Sequence, residues 1–291
     1  MFESLINPRK AERKPWELFL IGLIYASLSM LFVKWIFSNN PVFAKYSSIL
    51  LITFTVMFSI PFMYYTIKLE EEKDIRIRKE KILIKEHGKA LAAFMYLFLG
   101  VLVAFSFWYI VLPQDITAEN FQIQIEQYCA INAPTDFEKC IAQQGVISGK
   151  VAEITAEATS SWKHVSSIFL NNIYVLIFCL VFSFAFGAGV IFILIWNASV
   201  IATAIGIFTK ARIAHMHIGI VRYMIHGIPE ILAYFIAALA GGIISVAIIR
   251  HDFKEERFWH VLQDSLDLIL LSIVILFIAA IIEVFVTPAL F

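Results

Sequence analysis

Charge is scarce in this chain and balanced in sign. Only 16% of its 291 residues are charged, with Lys+Arg and Asp+Glu equal at 23. Soluble domains carry about 25% charged residues, so this chain has too few to clothe a water-facing surface. It also lacks the basic surplus that holds a nucleic acid, and no nucleic acid is expected as a partner. Cysteine is limited to three residues, too few for a disulfide-rich secreted scaffold. The chain contains no H-E-x-x-H, and its largest extramembrane segment, 113–170, carries no Gly-rich phosphate loop, no metal-spaced His/Cys cluster and no candidate triad. These absences argue against an enzyme. No cofactor is expected, and a metal stays unassigned.

What is present is hydrophobicity. Apolar residues make up 60% of the chain, and the mean hydropathy is +0.81. A bilayer core about 30 Å thick needs roughly 20 apolar residues of helix. Six stretches qualify, near 17–37, 47–67, 90–112, 172–197, 228–249 and 266–287. The first follows a basic flank (Arg9, Lys10, Arg13, Lys14) but runs into Lys34 and Trp35 with no small-residue cleavage site. It reads as a retained signal-anchor helix. The expected class is therefore all-α: a polytopic membrane helix bundle in the cell membrane, with the lipid bilayer as its first partner.

Lys/Arg asymmetry sets orientation. With six spans and a cytoplasmic start, basic residues concentrate on the cytoplasmic side, chiefly before the first helix and between Lys68 and Lys89. Both termini are then expected in the cytoplasm. Cys129 and Cys140 fall in the 113–170 loop, which this topology places outside, where disulfides persist. A bridge between them needs the chain to turn back, and Asn132-Ala-Pro134 is a plausible turn; two free thiols are the alternative. Cys179 reads as a small apolar residue of helix 4.

The chain divides into an N-terminal membrane part (1–112), an extracytoplasmic helical cap (113–170) and a C-terminal membrane part (171–291). Glu72/Arg76 and Asp74/Arg78 stand at i,i+4 in the cytoplasmic loop, as on a solvated helical extension. Ile147, Val151, Ile154 and Ala158 recur at helical spacing in the cap. The 198–227 segment is unusual. Apolar residues continue past Asn197 to Phe208, and a half-length piece follows from Ile218 to Ile225. A re-entrant hairpin or an interfacial segment between helices 4 and 5 is expected there.

Ionisable residues inside a span are costly and invite a functional reading. Glu230 follows Pro229 at the expected start of helix 5, and Glu283 lies near the end of helix 6. Together with His226 and Asn197 they are expected to converge at one inner-leaflet polar cluster. Two neighbouring carboxylates can share a proton. Two Glu and one His can hold a divalent metal. Alternatively Glu230 is simply an acidic first-turn residue favoured by the helix dipole, and Glu283 a structural clamp. His215 and His217 are two apart and do not share a helical face. Close helix packing is expected at Gly187 and Gly189, with Ser183 a turn earlier, and along Ala233-xxx-Ala237-xxx-Gly241 with Gly242 and Ser245. Either stripe can seam the bundle or a homodimer.

In order along the chain stand Asn171-Asn172, Gly187 and Gly189, Asn197, His226-Gly227-Ile-Pro229-Glu230, Gly241-Gly242, Ile282-Glu283 and Thr287-Pro288. This series resembles the stage II sporulation protein M-like membrane proteins, over roughly 171–288. Asn197-Ala198 stands where that family often has Asn-Gly. The resemblance implies a membrane scaffold, as the bacterial sporulation member is regarded as recruiting cell-wall hydrolases during engulfment. The expected function is thus a non-enzymatic scaffold, a homodimer, organising lipids or membrane or extracytoplasmic protein partners. The alternative is a transporter, channel or lipid translocator working through Glu230, Glu283, His226 and Asn197. High isoleucine content and modest loops give the chain an archaeal look.

Overall fold

The computed structural model describes residues 13–37, 40–76, 83–132, 136–145, 161–186, 191–210, 216–249 and 256–290. Among the described residues there are helices and no strands. Helix α1 (Glu17–Phe32) continues into a π-helical turn, Val33–Phe37. The Asn40 side chain then accepts from the backbone N–H groups of Val42 and Phe43, with Pro41 behind it, and starts a one-turn helix. This cap reverses the chain into α2 (Ser47–Arg76). Next come α3 (Leu83–Val111), three short helices α4 (Gln114–Asn120), α5 (Gln122–Asn132) and α6 (Phe137–Gly145), then α7 (Ser161–Phe186). The chain closes with α8 (Ile191–Lys210), α9 (Met216–Ile249) and α10 (Glu256–Ile281). The last continues through a π turn, Ile282–Val286, into Thr287–Leu290.

Seven of these helices are long and apolar enough to cross a membrane. The polytopic all-α bundle is as expected, but it has one more such helix than the sequence reading. The long apolar stretch through 172–208 is two helices, α7 and α8, and not one span followed by a re-entrant piece. Residues 198–210 complete α8, and 216–227 form the first third of α9. Hydropathy alone could not find the division, because apolar residues flank it on both sides. Gly187 and Gly189 fall at this division, outside the described residues, as does the proposed helix at 147–158.

Backbone hydroxyl pairing lets polar residues sit in apolar helices at little cost. Ser29, Thr55, Ser59 and Thr66 each donate to the carbonyl four residues back. One group of helices, α1, α2, α3 and α8, packs together; a second comprises α7, α9 and α10. The two groups meet along α9, where Phe235 stacks on Phe94 (5.4 Å between centroids) and stands edge-on to Phe98. Phe62 of α2 completes this aromatic junction against Phe94. Large side chains thus fill the centre, and glycines set the closest approaches. A Cβ on Gly22 would strike the Leu97 carbonyl oxygen, and one on Gly100 the Phe19 carbonyl oxygen. Backbone therefore lies against backbone where α1 crosses α3.

That crossing is parallel, since Phe19 lies by Gly100 and Trp108 Nε1 donates to Ser27 Oγ at 3.1 Å. The ends of α1, α3 and α8 consequently lie together. There the Lys210 ammonium donates to the carbonyl oxygens of Tyr109 (3.1 Å) and Leu112 (2.9 Å) and to Thr117 Oγ1 (2.9 Å). It also lies over the Tyr109 ring, 5.5 Å from its centroid. Lys210 in this way satisfies carbonyls left open at the end of α3. Its replacement by methionine is expected to cost on the order of 2 kcal/mol, as buried acceptors lose a charged donor. The checking measurement is thermal unfolding in detergent, and an unchanged melting temperature would refute the clamp.

The helices α4 to α6 form a cap over this end. Phe121, Ile125 and Cys129 turn inward and join the bundle core. Cys129 and Cys140 are bridged, closing α5 onto α6 as one of the sequence alternatives required. The hydroxyls of Tyr128 in the cap and Tyr223 in α9 share a hydrogen bond. The Ser183 hydroxyl, which donates to the Ala238 carbonyl, and Gly242 against Ile67 lie towards the opposite end. Helix α1 runs from the far end to the cap end, and Thr287–Leu290 lies at the cap end as well. The first and last described helices therefore begin and finish on opposite faces. The expectation of both termini in the cytoplasm was drawn on six spans, and the structure has seven helices long and apolar enough to cross a membrane.

Exposed aromatics mark the two boundaries. Trp16 and Trp259 lie near the far end, and Trp35, Tyr46 and Trp162 near the cap end. Such amphipathic rings favour the interface between hydrocarbon and water.

Candidate functional site

Asn172, His226, Glu230, Glu283 and Thr287 lie in the cap-side half of α7, α9 and α10. Proline is the first surprise. Helix α9 runs unbroken from Met216 to Ile249 with Pro229 inside it. Glu230 is therefore a mid-helix carboxylate, and the expected explanation, a first-turn acid favoured by the helix dipole, does not apply. Pro229 also has no N–H to offer the Ile225 carbonyl, which weakens the local ladder.

Glu230 is met from α7 by Asn172, whose amide Nδ2 donates to Glu230 Oε1 at 2.5 Å. Asn172 is buried, 7% exposed, on the stripe of α7 that continues through Leu176, Cys179 and Ser183. Glu283 of the last helix is close enough for the two carboxylates to interact electrostatically. It stands in the π turn Ile282–Val286. A π turn inside a regular helix is rare and recurs at functional positions. The Thr287 hydroxyl donates back five residues to the Ile282 carbonyl at 3.2 Å, consistent with the wider turn. His226 Nδ1 lies 3.4 Å from Thr287 Oγ1.

Glu230 and Glu283 thus lie within electrostatic reach of each other, and His226, one turn before Glu230 on α9, lies beside Thr287, one turn after Glu283. Asn197 is engaged elsewhere: its Nδ2 donates to the Ile193 carbonyl of its own helix at 2.7 Å. The cluster lies in the half of the bundle under the cap, on the face opposite the start of α1. Two residues were missed. Asn172 supplies the hydrogen bond, and Tyr234, 2% exposed, sits within electrostatic reach of both carboxylates. A signal for them existed. Tyr223, His226, Glu230 and Tyr234 are spaced three, four and four apart, which places them on one face of α9.

This face forms a polar line from the cap into the bundle. It starts at Tyr128, whose hydroxyl burial pushes up, with the Tyr223 hydrogen bond and the Arg222 charge opposing that shift. It passes Tyr223 and Arg222, then His226 and Thr287, and ends at Glu283, Glu230 and Tyr234. Such a line can hold polar groups in register or pass a proton or small ion along them. Among the described residues, no three His, Cys, Asp or Glu side chains are grouped to hold a metal ion.

The packing glycines are placed clearly. A Cβ on Gly241 would lie 3.1 Å from the Leu180 carbonyl oxygen, so α7 and α9 cross closely there. Gly242 faces Ile67 of α2 and Ser183. Both serve seams within the bundle. Gly206, not singled out from sequence, packs against the Tyr109 ring.

Comparison with known proteins adds three findings. The family profile described as Stage II sporulation protein M matches residues 52–288. That span takes in α2, α3 and the cap, well beyond the 171–288 region on which the sequence resemblance rests. An uncharacterized protein of Methanocaldococcus jannaschii is 35% identical over 127 residues, covering 42% of this chain and 70% of the relative. No solved structure matches.

Proposed function

Since this chain belongs to the stage II sporulation protein M family, we propose that it is a non-enzymatic membrane scaffold whose cap holds a fixed docking surface for protein partners. The observation that carries this reading is the rigid seating of the cap. Lys210 ties its first turn to α3 and α8, the Cys129–Cys140 bridge closes it, and Phe121 anchors it in the core. Loops that only connect spans need none of these. Outward it presents Asp115, Glu119, Asp136, Glu138 and Lys139, a charged surface that supports recognition by proteins more than by lipid tails.

The cap face is the extracytoplasmic one in this reading. With seven passes, the basic residues before α1, those from Lys68 to Lys89, and Arg250, Lys254 and Arg257 share the far face. Only Lys34, Lys45, Lys139, Lys150, Lys163, Lys210, Arg212 and Arg222 remain for the cap face. The bias supports a cytoplasmic far face, and a disulfide in the cap supports an oxidising cap side. An Ala142→Cys variant is then expected to react with a membrane-impermeant maleimide on intact cells. Labelling only after lysis would reverse the topology.

The scaffold itself is tested by photo-crosslinking from Glu138 in native membranes, followed by intact mass in nanodiscs. A stoichiometric protein partner is the expected result, on a homodimeric core. A homo-oligomer that crosslinks to nothing would overturn the reading. A second reading, transport, draws on the polar line of α9. It expects ion- or pH-dependent flux in liposomes that is lost in a Glu230→Gln, Glu283→Gln variant, whereas the scaffold keeps its partner in that variant.

A further inference from the structure

Glu230 and Glu283 have no cation against them. The two carboxylates lie within electrostatic reach of each other, and Glu230 is met by one donor, the Asn172 amide. Glu283 has neither a hydrogen bond nor an ion pair among the described residues. Arg222 stands two turns before Glu230, and its charge acts on Tyr128, Tyr223 and His226. A carboxylate withdrawn from water is ordinarily paired or holds a metal. Tyr234, one turn after Glu230, is a second and independent observation. It is 2% exposed and within reach of both carboxylates. Its hydroxyl has no hydrogen-bond partner among the described residues, yet it is not sealed from water as Thr203 Oγ1 and Thr209 Oγ1 are. Buried hydroxyls are ordinarily partnered. Three oxygen-bearing side chains thus lie within reach of one another, carrying two negative charges and no positive one.

We propose that Glu230 and Glu283 bind one partly hydrated magnesium ion, with the Tyr234 hydroxyl holding one of its waters. Charge selects the valence, because a divalent ion neutralises both carboxylates and a monovalent one leaves a net negative charge in the bundle. Ligand type selects a hard ion, since carboxylate, hydroxyl and water oxygens suit magnesium better than zinc or copper. His226, the nearby imidazole, is engaged with Thr287. Ligand number selects magnesium over calcium. Calcium takes six to eight oxygens, whereas magnesium is held by one or two carboxylates and keeps several waters. Both glutamate side chains are half-buried, which leaves room for those waters. Entry is short. Glu283 lies two residues before Phe285, whose ring packs on the exposed Trp162 at the cap-side boundary. The site requires binding and not passage, so it stands apart from the transport reading.

The experiment uses the full chain in one detergent, stripped with a chelator and returned to magnesium, calcium, zinc or sodium chloride at constant ionic strength. The melting temperature is expected to rise by about 3 °C once magnesium exceeds its dissociation constant tenfold. Manganese, which takes the same oxygen ligands, is expected to bind at one ion per chain by electron paramagnetic resonance and to be displaced by magnesium. Glu283→Gln and Glu230→Gln are expected to lose both signals. Tyr234→Phe is expected to weaken binding about fivefold, the loss of one hydrogen bond. If Glu230→Gln fails to fold without its bond to Asn172, Glu283→Gln carries the test, because no hydrogen bond among the described residues depends on that carboxylate. No rise with magnesium, a larger rise with sodium, calcium or zinc, or a rise that survives in Glu283→Gln each overturn the proposal. One bound ion without flux in liposomes supports the site and counts against transport alone.

Discussion

Gly100→Leu is expected to abolish the folded protein, and Gly100→Ala to cost about 3 kcal/mol, the upper end for overpacking a tight contact. The reason is backbone, not side-chain, crowding. A Cβ at Gly100 collides with the Phe19 carbonyl and presses on Leu23 N at 3.0 Å, while Gly22 makes the reciprocal contact with Leu97 and Val101. No rotamer change relieves a clash with a carbonyl oxygen, so α1 has to move away from α3. With it goes the end of α1 that, together with Ser47 and α4, seats the cap. The control is Gly88→Ala. A Cβ there meets nothing within 4 Å, and alanine favours helix over glycine by up to about 1 kcal/mol. Size-exclusion profiles and melting curves in one detergent read both variants. A monodisperse Gly100→Leu protein with the wild-type melting temperature would disprove the close crossing.

The second large effect is expected at Asn172. Asn172→Leu removes the donor held by Glu230 and leaves a half-buried carboxylate beside Glu283 with a lost hydrogen bond. A cost of about 2–3 kcal/mol is expected, since an acceptor stripped of its donor loses more than the bond was worth. Replacing both partners is gentler. The Asn172→Leu, Glu230→Leu double variant is expected to recover at least half of that loss, as apolar pairs suit a membrane bundle. A double-mutant cycle on melting temperatures measures the coupling. Additive losses would mean that the two side chains do not share one site. The cycle also separates the two functional readings. A double variant that is stable, yet loses flux, assigns the pair to transport; one that is stable and keeps its partner assigns it to structure.

Much of the site was open to sequence reasoning, and what escaped did so for definite reasons. Glu230, Glu283 and His226 stood out because ionisable groups are rare in apolar spans. Asn172 was quoted only as part of a motif, since nothing in a linear sequence says which helix face meets α9. Asn197 was drawn into the cluster by its assumed place at the end of one long helix. It instead lies within α8, bonded to its own backbone. Pro229 suggested a helix start because proline favours first turns, but a proline inside a membrane helix is tolerated where neighbouring helices shield it.

By itself, the sequence determined the class: an all-α polytopic bundle, with a long loop carrying a cysteine pair able to bridge. Composition and run length suffice for that, because the bilayer demands long apolar helices wherever a chain crosses. Only the tertiary structure decided how many helices are long enough to cross, hence at which end of the bundle the cluster and the last helix lie. Hydropathy reports that residues avoid water but not where a helix ends inside an unbroken apolar stretch. The close approaches at Gly22, Gly100 and Gly206 were likewise invisible, because a glycine's partner is another helix's backbone or ring, brought to it only by the folded arrangement.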